Sequence, residues 1–146
     1  MQTGIYIFLA LSIGIISAVY LPMNSSVSRH LGSPLTANIT FYSVALITSI
    51  LLFAIYGELE TLRRIPEVPP LLFLTGFVSA FIVMAITFLI PKLGARQLLI
   101  LSISGQILMA MAISHFGVLE SPKDPITLKK VVGAGLLVAG AAISVN

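Results

Sequence analysis

Tyr20, Asn24, Asn38 and Tyr42 lie in or beside LPMNSSVSRHLGSPLTANITFYS, Leu21 to Ser43, where a proline and a crowd of hydroxyls accompany two asparagines amid apolar residues. Amides and phenols donate and accept hydrogen bonds without carrying charge, the chemistry of a pocket that holds a small uncharged solute. At 100° per residue, Ser17, Tyr20, Asn24 and Ser28 form one helical stripe, and Asn38, Tyr42, Ala45 and Ser49 form another. Counted from the turn near Gly32, Tyr20 and Tyr42 fall at matching depths on adjoining helices. Pro22 removes an i to i−4 bond, so it is expected to kink its helix and free a carbonyl. Two readings are open for these groups: they line a cavity, or they hydrogen-bond across helices as packing.

LSISGQILMAMAISHFG adds Gln106, with Ser102 one turn away on the same face. A primary amide near the middle of an apolar helix is costly to leave bare in lipid, so Gln106 must face protein or water. His115, nine residues on, points to the opposite side and reads as an interfacial hydrogen-bonder, with gating as the alternative. Ser104 and His115 share a face, but eleven residues of helix put them about 16 Å apart, too far for a nucleophile and its base. No catalytic residue is expected. The chain has no cysteine and two histidines, too few for a metal cage, and no cofactor is expected.

The elements that must position these residues follow from hydropathy. Of 146 residues, 58% are hydrophobic and 9% charged, with a mean hydropathy of +1.09, against about 25% charged in soluble domains. Crossing about 30 Å of hydrocarbon takes roughly 20 apolar residues. Five such stretches are predicted, at about 4–28, 35–56, 70–90, 95–116 and 127–145, all helical because no stretch alternates with a period of two. The expectation is therefore an all-α membrane protein, a single domain over 1–146. MQTG has no basic region, so the first span reads as retained and not as a signal peptide. Leu31-Gly32 rhymes with Leu93-Gly94, and Tyr56-Gly57 with Phe116-Gly117, through either duplication or recurrent cap chemistry.

Five spans put Arg63, Arg64, Lys123, Lys129 and Lys130 on the N-terminal face, and Arg29, Lys92 and Arg96 on the other. Five against three predicts a cytoplasmic N-terminus by a thin margin. Insertion in both orientations, with pairing to an inverted copy, is the second possibility. Gly133, Gly140 and Ser144 on one side of the last helix, and Gly135 and Ala139 on a neighbouring one, are expected to let another helix approach closely. GELETLRRIPEVP and GVLESPKDPITLKK hold all five acids and read as solvated connectors. Scattered basic residues without an aromatic-interleaved face exclude nucleic acid as a partner.

NSSVSRHLGSPLTANITFYS, PEVPPLLFLTGF, IPKLGARQLLILSISGQILMAMAISHFG and KKVVGAGLLVAGAAI together resemble the YdcZ-like five-helix branch of the drug/metabolite transporter superfamily. The pattern is N-x6-L-G-x-P-L-x-A at Asn24 to Ala37, P-x-L-G-A at Pro91 to Ala95, and Gly105-Gln106 upstream of His115-Phe116-Gly117. The resemblance implies a half-transporter of a bacterial inner membrane, working as an antiparallel pair with itself or a paralogue. Relatives often carry an acid just before H-F-G, where this chain has Ser114.

The residue pattern and the resemblance converge on a small-molecule transporter working by alternating access. Its expected lining is Tyr20, Asn24, Asn38, Tyr42, Ser102 and Gln106. Because no span carries a carboxylate, the expected substrate is neutral, zwitterionic or amphiphilic. The alternative is a non-transporting membrane subunit that stabilises or regulates a partner.

Overall fold

The computed structural model describes residues 2–145. They are helical, with no strand among them, and divide into two compact units meeting in sequence at Lys92 and Leu93.

In the first unit, α1 (Gln2–Leu31) and α2 (Pro34–Tyr56) form a tight hairpin. Gly32, at φ +68°, closes α1, and Ser33 N–H reaches back to Ser28 O at 3.2 Å, satisfying a carbonyl that the helix end leaves open. Ser33 then caps α2, its hydroxyl accepting from Thr36 N–H at 3.3 Å, while Pro34 takes the first helical position, where no N–H is needed. One residue thus ends one helix and starts the next. Gly32→Val forces a β-branched side chain into the left-handed region and should cost about 1–2 kcal/mol. Thermal unfolding in detergent checks this against Gly14→Ala, which sits in regular helix with open space and should lose nothing.

After one turn of helix, α3 (Leu59–Leu62), two 3-10 turns at Ile65–Glu67 and Pro70–Phe73 lead into α4 (Leu74–Leu93). The expected third span therefore starts as 3-10 helix and continues past Ile90 through Pro91. The connector's Arg63–Glu60 pair, 3.4 Å apart, is 80% and 71% exposed, so it contributes little.

The second unit holds α5 (Ala95–Phe116) and α6 (Leu128–Val145), packed on each other. Gly117 at φ +64° ends α5 as Gly32 ends α1, with Val118 N–H on Ile113 O at 3.2 Å. Gly57, its counterpart in the sequence rhyme, is instead extended, at φ −81° and ψ 153°. The second pair of the rhyme, Gly57 and Gly117, thus differs in backbone geometry, whereas Gly32 and Gly94 of the first both have positive φ, +68° and +81°; what Gly32 and Gly117 share is helix-cap chemistry.

Among the described residues, four helices are long and apolar enough to cross a membrane: Gly4–Leu31, Pro34–Tyr56, Pro70–Leu93 and Ala95–Phe116. The fifth expected stretch forms α6, 18 residues or about 27 Å long. Large apolar side chains are exposed along all of these helices, as hydrocarbon as solvent allows.

Candidate functional site

Polar side chains of the first unit meet along α4. On α1 the buried face is Leu21, Asn24, Ser25 and Ser28, spaced three and four apart as one helical stripe requires. On α4 it is Val83, Thr87 and Ile90, with Ala80 half-buried one turn before. Asn24 Nδ2 donates to Thr87 Oγ1 at 2.8 Å, and Ser25 Oγ donates to Thr87 O at 3.3 Å. From α2, Asn38 Nδ2 donates to Ala80 O at 3.2 Å, and the Tyr42 hydroxyl bonds Ser79 Oγ at 2.6 Å.

Thr87 is the centre of this seam and is 1% exposed. Its carbonyl is available because Pro91, four residues on, has no N–H to give it. Ser25, wholly buried on α1, supplies the missing donor. The proline-freed carbonyl expected at Pro22 is thus seen, with its partner, at Pro91. Pro22 itself lies inside an α1 that continues through it.

Asn38 is different from the rest. Its Nδ2 is committed to a carbonyl, which fixes the amide orientation, and its Oδ1 is buried without a hydrogen-bond partner. Such an acceptor costs about 1–3 kcal/mol. Beside it, the Tyr20 and Phe41 rings stack at 6.1 Å, and Phe41 meets Tyr42 edge-on at 5.1 Å. Tyr20 remains 37% exposed. All five acids of the chain lie outside the four apolar spans, so the seam contains no carboxylate.

The structure brings Asn24, Asn38 and Tyr42 to α4, with Tyr20 joined to them through Phe41. Ser102 and Gln106 belong to the second unit. There Ser102 donates to its own helix, at Leu98 O, 2.7 Å, and Gln106 is exposed on α5. Ser104 is buried and bonds Ile100 O at 2.8 Å, so its hydroxyl serves its own helix. On α6 the buried residues are Ala134 and Ala141. Gly140 and Ser144 line a groove with Ser104 and Ile100, while Gly133, Gly135 and Ala139 are exposed.

Sequence reasoning missed Thr87, Ser25, Ser79 and Ala80. A threonine alone in an apolar span carries no signal, because its hydroxyl usually bonds its own helix. The signal that could have found it is Thr87 and Pro91 at i and i+4.

The family described as "Putative inner membrane exporter, YdcZ" matches residues 5–143. The chain belongs to that family. It is therefore placed among inner-membrane exporters, in agreement with the apolar helices and with a transporter in preference to an enzyme. No curated protein and no solved structure matches it.

Proposed function

We propose that this YdcZ-family chain moves a small neutral, zwitterionic or amphiphilic solute by alternating access, as half of an antiparallel pair formed with a second copy or a paralogue. The observation that carries the reading is the uncharged polar seam along α4, inside apolar spans, with Asn38 Oδ1 left unpartnered. In the conformation described, the part of the seam between α1 and α4 is closed, with Asn24, Ser25, Ser28 and Thr87 buried, while the Tyr42–Ser79 bond is exposed. Opening the whole seam breaks four hydrogen bonds worth about 0.5–1.5 kcal/mol each, comparable to the few kcal/mol that separate interconverting states. Solute or water would then satisfy the exposed groups, Asn38 Oδ1 foremost. The same groups that hold helices together in one state would bind solute in the other.

Completing the transporter requires α6 as a fifth crossing, Tyr20, Ser102 and Gln106 as further lining, and a partner. Gln106 fits such a lining, since a mid-helix amide exposed on α5 needs water, solute or another polar group within the bilayer. The small residues Gly133, Gly135 and Ala139, exposed on α6, offer a close-packing face for the pair. Gln106→Leu should abolish solute flux in proteoliposomes while the pair persists in cross-linking. Loss of both together would instead mark Gln106 as packing, and the proposal for that residue would fail.

A further inference from the structure

Residues 117–127 leave α5 and return to start α6, and they are fastened to the end of α5 by an imidazole. His115 Nδ1 accepts the Ile126 N–H at 3.0 Å, and Asp124 N–H donates to Ser114 O at 2.8 Å. Lys130 Nζ, from the first turn of α6, bonds Asp124 Oδ1 and also Pro125 O, the latter at 2.9 Å. Asp124 and Ile126 of the fastened segment, with Ala110, Met111, Ser114 and Lys130, line an open cavity of about 270 Å³. The segment is also strained. Leu119 and Glu120 are consecutive left-handed residues, at φ +55° and +58°, a conformation that disfavours L side chains by about 1–2 kcal/mol each. A segment held in that geometry relaxes if its fastening is lost.

An imidazole that accepts at Nδ1 must be neutral, with its proton on Nε2; protonated, both nitrogens are donors and Nδ1 faces Ile126 N–H as like against like. We infer that residues 117–127 form a proton-released strap: neutral His115 clasps it to the end of α5, where it forms part of the cavity wall, and protonation of His115 lets it spring open. The other charged groups around the clasp are the mutually bonded Asp124 and Lys130, and Lys123, whose chain packs against Gly117. Glu120 and Lys129 are exposed, and α5 has no other charged residue in its last three turns. The remaining fastenings are Asp124 N–H to Ser114 O, which involves backbone groups alone, and the Lys130 bonds to Pro125 O and to the Asp124 carboxylate, whose part in any pH response Asp124→Asn isolates. His115 is the one fastening made through a ring nitrogen lone pair, which a proton would occupy. The consequence is access to the end of α5 and the start of α6 that depends on the pH of the compartment they face.

The chain has no cysteine, so a nitroxide attached to Ser121→Cys reports the strap in the full-length protein reconstituted in lipid. Its spectrum should be immobilised at about pH 8 and gain a mobile component toward about pH 5, rising by up to about tenfold per pH unit through the transition. His115→Gln, which cannot titrate, and His115→Phe, which cannot accept, should both lack the pH step, with His115→Phe mobile throughout. Asp124→Asn should retain the step. A spectrum indifferent to pH in the native background, a step that survives either His115 substitution, or one abolished by Asp124→Asn would overturn the inference.

Discussion

Ser25→Ala destabilises the native sequence by about 1–3 kcal/mol, and destabilises the same protein carrying Pro91→Ala by close to nothing. The asymmetry follows from one carbonyl. Thr87 O has no intrahelical donor because the residue four positions later is proline, and Ser25 Oγ is the group that bonds it. Without Ser25 the carbonyl is left bare in a place that water does not reach. Restoring an N–H at position 91 lets α4 bond Thr87 O itself, and Ser25 becomes dispensable. A double-mutant cycle, by thermal or denaturant unfolding in detergent, isolates the coupling from the separate effects of each change. Equal costs of Ser25→Ala in both backgrounds would show that Ser25 acts by volume or through another partner.

Asn38→Leu should reduce solute flux by about tenfold or more, the loss of about 1.4 kcal/mol of binding, while leaving thermal stability unchanged or raised. Most polar-to-apolar substitutions of a hydrogen-bonded residue destabilise; this one combines two opposing terms. The lost bond, Asn38 Nδ2 to Ala80 O, is of the kind that averages about 0.6 kcal/mol between membrane helices, and the Ala80 carbonyl remains inside a regular helix. The removed liability, the unpartnered Asn38 Oδ1, is worth about 1–3 kcal/mol. If the amide is kept for a state in which Oδ1 finds a partner, function falls and stability does not. Unimpaired transport together with a lower melting temperature would identify Asn38 as packing, and the proposed transport cycle would lose its main support.

The bonds at Asn24 and Tyr42 also show why the two sequence readings of the polar stripes were hard to separate. Asn24 and Tyr42 do hydrogen-bond across helices, as the packing reading holds, yet they do so on a single seam with Asn38, as a lining would. A few weak bonds are compatible with the opening that the proposed transport cycle requires, because polar groups tied too strongly would trap such a cycle in one conformation.

The amino-acid sequence by itself determined where the helices run and how they end. Stretch length and hydropathy are properties of contiguous residues, and so is cap chemistry: α5 ends within the predicted bounds, and Gly32 and Gly117 stop helices through the backbone freedom that only glycine has without strain. The polar face of α1 was partly legible for the same reason, Asn24 and Ser28 lying on the predicted stripe. What the tertiary structure decided was the partner. Hydropathy does not encode which neighbour a polar stripe meets or how far each helix is rotated about its axis. A shift of one residue, about 100°, brings Ser25 into the seam and leaves Tyr20 half in the open. Thr87 became visible only once α1 lay against it, because a hydroxyl that can bond its own helix announces nothing until a second helix claims it.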